Sequence, residues 1–206
     1  MTVAVTLADE AGLVGLTMRS LAHELGVEAM SLYHHVKNKD DILDGMVDAV
    51  FAQIELPDPS STDWRQGMRV RAHSARAVLK RHPWAISLLE SRANPGLATL
   101  KHHDAVLGSL RGGGLSLELT GHAYAVLDAF IYGFVQQELS LPFQSPKQTE
   151  DVATQIMSEM PVGLFPHLAE FATSRVLQPG YAFGNEFGFG LELILDGIER
   201  ARRSGT

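Results

Sequence analysis

Apolar residues recur every three or four positions along almost the whole chain, and no stretch sustains the strict alternation of a half-buried strand. The pattern predicts an all-α fold. A first helix over roughly 2 to 11 carries Ala4, Leu7, Ala8 and Ala11 on one face, with Gly12 and Gly15 closing it. Thr17 is a good N-cap for a second helix, and Gly26 suits its left-handed end. A third, short helix is expected from about 28 to 35. A fourth begins near Lys39 and carries Ile42, Leu43, Met46, Val47, Val50 and Phe51.

The periodicity breaks at "ELPDPSSTDW" (55 to 64), where two prolines and a Ser-Ser-Thr-Asp cluster read as a loop ending in an N-cap. Further helices are predicted at about 63–81, 83–92, 96–112, 115–140, 148–160, 164–176 and 181–203. Two of these are apolar around more than one face. One holds Leu119, Ala123, Val126, Leu127, Phe130, Ile131, Phe134 and Val135; the last places Phe183, Phe187, Leu191, Ile194 and Ile198 on one stripe, with Phe189 and Leu193 partly on another. Such helices need neighbours on two sides, either a second copy of the chain or the rest of a monomeric bundle.

Composition narrows the function. A hydrophobic fraction of 45% suits a packed core. The absence of cysteine excludes disulfides, thiolate catalysis and thiolate metal sites, and fits a reducing cytoplasm. No run of eighteen apolar residues or signal-peptide pattern occurs, so no membrane span is expected. The net charge of -7 argues against nucleic acid unless a basic patch is local.

Such a patch has one candidate place. In "SLAHELGVEAMSLYHHV", Leu21, Ala22 and Leu25 share a face of the second helix, and Val27, Leu32 and Val36 supply the matching face across Gly26. Two helices joined by a short glycine turn at a steep angle form a helix-turn-helix. Packing does not account for Ala29, Met30, Ser31, Tyr33, His34 and His35, which suit insertion into a major groove. Taken singly, each also fits a half-buried or solvated surface position.

The stretch "GLTMRSLAHELGVEAMSLYHHVKNKDDILDGM" resembles the N-terminal domain of the tetracycline-repressor (TetR) family, including its Leu-Tyr-x-His-Val-Lys-Asn-Lys signature. "HPWAISLLESRANPG", "GGGLSLELTGHAYAVLDAFIYGF" and "FGFGLELILDGIERA" resemble the ligand-binding and dimerisation domain of the tetracycline-repressor class. The resemblance implies a helix-turn-helix DNA-binding domain over 1–46 and a larger helical-bundle ligand-binding and dimerisation domain over 47–206. It implies a homodimeric regulator of palindromic operators, most often a repressor released by a small molecule. Dimerisation would run through the helices at about 115–140 and 181–203. No enzyme activity or cofactor is implied, and the inducer is unspecified.

On matching positions, Thr17 and Arg19 stand at the start of the second helix, with Arg19 reaching a base edge or a neighbouring phosphate. Ser31, Tyr33, His35 and Lys39 would meet mainly the sugar-phosphate backbone, Lys37 belongs to the same DNA-binding set, and Ala29, Met30 and His34 would set specificity. First-turn amides near Lys39 offer a further phosphate site. Residues 1–46 nevertheless hold three cations (Arg19, Lys37, Lys39) against seven acids (Asp9, Glu10, Glu24, Glu28, Asp40, Asp41, Asp44). The family's first helix starts earlier, after a basic arm, whereas this chain opens inside it, so upstream codons carrying Arg or Lys are expected. The acidic balance keeps a second reading open, a ligand-binding dimer that has lost DNA binding.

The implied ligand pocket lies between helices of the larger domain, with Arg71, Trp84, Leu88, Leu89, Arg92, Tyr124, Leu127, Asp128, Ile131, Phe134 and Gln137 as linings. Glu55, Arg71 and Leu89 stand where tetracycline-binding members carry polar or metal-ligating residues, so a magnesium–tetracycline complex is not the expected ligand. His102-His103-Asp104 reads as an exposed face rather than a metal site, because adjacent helical residues point about 100° apart. Gly184, Gly188 and Gly190 read as close helix crossings, since no strand precedes them. No catalytic triad or carboxylate pair has a setting, which leaves a helical-bundle enzyme without a motif.

Overall fold

The computed structural model describes residues 1–58, 61–89, 91–143, 145–161 and 163–205 of the 206-residue chain. Among the described residues every regular element is helical. Helix α1 (Thr2–Gly15) bends at Gly12, whose φ of 67° is the left-handed conformation glycine tolerates. Ala4, Val5 and Ala8 are buried on its inner side. Ala11, expected on that face, is exposed, because the axis turns away from the core at Gly12.

Helix α2 (Met18–Leu25) starts from a reciprocal cap. Thr17 Oγ1 accepts from Ser20 N–H at 3.0 Å, and Ser20 Oγ accepts from Thr17 N–H at 2.8 Å. It ends at Gly26, with φ of 66°, and Val27 N–H closes back onto the Ala22 carbonyl. Helix α3 covers only Ala29–Leu32, shorter than the predicted 28 to 35. Tighter three-residue turns carry the chain on, from Tyr33, His34 and His35 N–H to the carbonyls of Met30, Ser31 and Leu32. Helix α4 (Lys39–Phe51) begins at Asn38, whose side chain accepts from Asp41 N–H at 2.9 Å. Leu21, Ala22 and Leu32 meet Ile42 and Met46 of α4 in the core of this small domain. Leu25 and Val27, expected in that core, remain 44% and 46% exposed. Leu25 lines an open apolar cleft between α1, α2 and α4, so the matching faces across the turn close only around Leu21, Ala22 and Leu32.

The bundle starts at α5 (Trp64–Arg81), capped by Asp63. A 3-10 turn at Pro83–Ala85 leads into the short α6 (Ile86–Leu89), and α7 (Leu97–Gly112) follows. Helix α8 (Leu117–Ser140) is central, packing on α5, α7 and α11 (Glu186–Ser204). Between them lie α9 (Pro146–Glu159) and α10 (Pro166–Phe171), the latter running into a π-helical turn at Ala172–Val176. Leu119, Ala123, Leu127, Ile131 and Val135 are buried on α8, the four larger side chains each contributing on the order of 1.5–3 kcal/mol by leaving water. Phe130 stacks on Phe187 at 5.2 Å and Phe134 on Phe183 at 4.7 Å, joining α8 to α11 and to the 3-10 turn at Phe183–Asn185 that precedes it. A side chain at Gly190 would strike the Phe130 ring, and one at Gly184 would strike Arg76 and Glu138, so both permit close approach. Gly188 meets nothing within 4 Å, so close crossing does not account for it.

Both central helices keep an apolar flank in the open. On α8 Leu117 is 77% exposed and Val126 49%; on α11 Phe189 is 67% and Leu193 56% exposed. This is the second face the sequence pattern anticipated.

Replacing Thr17 with Ala removes the α2 cap and is expected to cost about 1 kcal/mol. Thermal unfolding followed by circular dichroism should show a melting point lower by about 2–4 °C. An unchanged melting point would mean that packing alone sets the start of α2.

Candidate nucleic-acid interface and its link to the bundle

The Gly26 turn holds α3 off the body of the small domain, with Leu32 as the inward anchor. Met30 is 74% exposed and Tyr33 47%, and His34, His35, Lys37 and Lys39 all face solvent. Ala29 and Ser31 are partly buried, Ser31 donating to the Glu28 carbonyl at 2.7 Å. Arg19 is exposed in the first turn of α2, and Thr17 is exposed but committed to its cap. The face thus combines an apolar tip, a phenol, two imidazoles and nearby cations, a set able to meet base edges and phosphates together.

The start of α4 is less open to phosphate than its sequence implied. Asn38 occupies the Asp41 amide, and the Asp41 carboxylate accepts from Lys37 N–H at 2.8 Å. Asp40 and Asp41 also place negative charge at the positive end of the helix dipole.

Two acids of the small domain, Asp9 and Asp44, turn away from this face. Asp9 accepts from Trp84 Nε1 at 2.7 Å and pairs with His82 Nδ1 at 2.8 Å. Asp44 accepts from Arg92 Nε at 2.5 Å, while Arg92 Nη2 reaches the carbonyl and carboxylate of Asp40. Further along α4, Asp48 Oδ1 accepts from Thr99 N–H at 2.8 Å and Thr99 Oγ1 at 2.9 Å. Gly96 lies so close to the Asp48 carboxylate that any side chain there would collide with it. Asp40, Asp44 and Asp48 follow one another at four-residue spacing, the stripe of a single helix face.

Trp84 and Arg92 therefore leave the set expected around a ligand and belong to the joint between the two parts. Phe134 is taken up by the aromatic stack with Phe183 and Phe187, and Gln137 is exposed. Leu88 is buried and Leu89 partly buried against the core.

Arg71, Leu127, Asp128 and Ile131 come together, all buried, with Tyr124 one turn earlier on α8. Arg71 Nη2 donates to Asp128 Oδ1 at 2.5 Å, and Arg71 Nε donates to His102 Nε2 at 3.2 Å. His102 is thus fully buried and its ring meets Phe51 at a tilt, centroids 5.0 Å apart, contrary to the exposed face expected for it. His103 is partly buried, its Nδ1 2.5 Å from the Tyr124 hydroxyl. Only Asp104 of the three faces solvent. The spacing argument treated these residues as one surface, whereas α7 buries positions 99, 102 and 106 as a stripe of its own.

Burial first, then the neighbouring Arg71 charge and His103, lower the His102 pKa from 6.5 to about 3, so the ring is neutral. With Nε2 accepting from Arg71, its proton sits on Nδ1. That N–H and Arg71 Nη1 are buried donors with no acceptor among the described residues. Such donors, at about 1–3 kcal/mol each, favour an oxygen placed between them.

Residues 1–46 match the family of bacterial regulatory proteins, tetR family, and residues 56–202 match the tetracyclin repressor-like C-terminal domain. The chain is 31% identical over 207 residues to the HTH-type transcriptional repressor DrrR1 of Streptomyces coeruleorubidus, covering 95% of this chain and 74% of that protein. It is 28% identical to the tetracycline repressor protein class C of Escherichia coli, over 97% of this chain and 88% of the relative. Among solved structures, apo ActR from Streptomyces coelicolor superposes with a TM-score of 0.81 at 26% identity, over 100% of this chain and 95% of that one. ActR in complex with (S)-DNPA gives 0.79 at 27% identity, over 97% and 95%.

Two outcomes follow from the buried contacts. Because the folded pKa of His102 lies below its unfolded value, the unfolded chain binds an extra proton between pH 6.5 and about 3. Stability is present above that window and lost as pH falls through it. In denaturant titrations, His102→Gln should flatten the decline between pH 7 and pH 4.5; an equal decline in both proteins would remove His102 as its source. Arg92→Ala leaves the nearly buried Asp44 without its cation and should cost about 2–3 kcal/mol. Amide exchange should rise in α4 and not in α8, and uniform or absent change would show that the clasp holds nothing in place.

Proposed function

The chain belongs to the tetR family of bacterial regulatory proteins and is a DNA-binding transcriptional regulator, and we propose that it acts as a homodimeric repressor of palindromic operators, released by a small molecule. The observation that carries this reading is the outward face of α3, anchored by Leu32 and joined to the bundle through α4. The apolar flank of α8 and α11 supports self-association, because exposed patches of this kind mark protein interfaces. Two-fold pairing there would present two recognition faces roughly 34–36 Å apart, one per major-groove half-site.

The acid count no longer stands against DNA. Of seven acids in residues 1–46, Asp9, Asp40 and Asp44 are engaged by His82, Trp84 and Arg92 of the bundle. Arg19 and Lys37 face solvent on the reading side, and Lys39 Nζ rests against the Leu13 carbonyl at 3.4 Å, within reach of a phosphate brought to that face.

The ligand would enter between α5, α7 and α8 and give Arg71 Nη1 and His102 Nδ1 an acceptor oxygen. ActR has been solved with (S)-DNPA and with actinorhodin, which supports a ligand inside a bundle of this shape. Displacing His102 moves α7, which also touches α4 through Phe51 and Thr99. A shift of α4 then changes the spacing of the two recognition faces, with a coupling of about 1–3 kcal/mol in the usual range.

Fluorescence anisotropy with duplex DNA from upstream of the chain's own gene tests the reading, alongside sedimentation of the free protein. A dimer binding that DNA with a steep salt dependence is expected. Tyr33→Phe and Lys39→Met should weaken binding to all sequences alike, while Met30→Gln and His34→Asn should change which sequence is preferred. A monomer, or a dimer that ignores the DNA, would leave a ligand-binding protein without operator recognition.

A further inference from the structure

A second polar group lies ten residues beyond Asp128 on α8, about 15 Å along the helix, and lines a cavity of about 260 Å³. Glu138 accepts from Arg76 Nε at 2.8 Å, Arg76 Nη2 at 2.7 Å and Lys80 Nζ at 2.6 Å. Burial alone would raise the Glu138 pKa, but the hydrogen bonds from Arg76 and Lys80 outweigh it and hold the carboxyl below its ordinary value. Two cations therefore face one ionised carboxylate, and one positive charge is left over. The Arg76 guanidinium lies over the Phe187 and Phe134 rings at 4.9 and 5.6 Å, which fixes its position.

This cavity shares Phe143 and Thr149 with another of about 200 Å³, between α9 and α10. The second cavity is apolar, with Val152, Ile156 and Met157 facing Leu168, Phe171 and Val176. Ile156, Leu168 and Phe171 stay at least half exposed, so the chain's own core does not fill the gap. The π-helical turn at Ala172–Val176 forms one wall, a backbone feature frequent at functional sites. A cationic mouth thus opens onto a greasy slot.

We propose that this junction is a second ligand site, for an amphiphilic carboxylic acid whose carboxylate meets Lys80 and Arg76 and whose hydrocarbon tail enters the α9–α10 gap. Charge complementarity selects the head, since a neutral head would leave the spare positive charge unmet. The slot selects an unbranched tail of modest length. Occupancy ties α9 and α10 to α5 and α8, the helices that carry the central Arg71–Asp128 pair.

Isothermal titration of the full chain with octanoate and with octan-1-ol tests the site. Octanoate should bind more tightly than the alcohol by about tenfold. Lys80→Met should erase that preference and leave alcohol binding unchanged, while Ala153→Phe, filling the slot, should weaken both. Melting curves establish that each variant is folded, and Leu168→Ser serves as the second slot variant if Ala153→Phe is not. Arg71→Met should leave octanoate binding untouched, which separates this site from the central one. Equal affinity for the two probes, no binding of either, or octanoate binding indifferent to Lys80→Met would each overturn the proposal and leave the triad a structural ion cluster.

Discussion

Helix α4 has to satisfy two cores at once. Its apolar side, with Ile42 and Met46, closes the small domain, while Asp40, Asp44 and Asp48 on another side are held by Arg92 and Thr99 of the bundle. Phe51 at its end packs against the His102 ring, which also accepts from Arg71, the partner of Asp128. Helix α1 adds a second link through Asp9 to His82 and Trp84, so the small domain is fastened to the bundle by two of its helices. These contacts are largely polar and directional. A greasy joint would slide, whereas hydrogen bonds at fixed geometry transmit a displacement or break.

The same contacts change the electrostatic picture. Charge counted along the chain gave the small domain too many acids, but the count assumed that every carboxylate belonged to the surface on which its neighbours stood. Asp9 and Asp44 are spent on partners 75 and 48 residues away. What matters to a phosphate within a Debye length, about 8 Å at physiological salt, is what remains on its own side. The tail of the acid ledger, Asp41, is occupied by the Lys37 amide.

The helix-turn-helix was legible because its determinants are local: Thr17 caps within three residues, Gly26 takes the left-handed turn, and Leu21, Ala22 and Leu32 fall at helical spacing. The doubled apolar faces of α8 and α11 were legible for the same reason. Trp84, Arg92 and His102 were not. Each owes its place to a partner on another helix, and aromatic or cationic character alone does not tell a pocket wall from a hinge pin. One signal was available, the four-residue stripe of Asp40, Asp44 and Asp48, which a purely solvent-facing helix beside DNA would hardly carry. The short α3 was also hidden, since three-residue and four-residue turns draw on the same residues.

Gly96 gives the joint its tolerance. The backbone there rests directly against the Asp48 carboxylate, with no room for even one methyl group. A bulkier residue would act as a spacer, prising the loop from α4 while leaving the reading surface and the bundle interior intact. Small lineage changes at this position would thus retune how loosely the two halves of the molecule speak to each other, without touching what either half recognises.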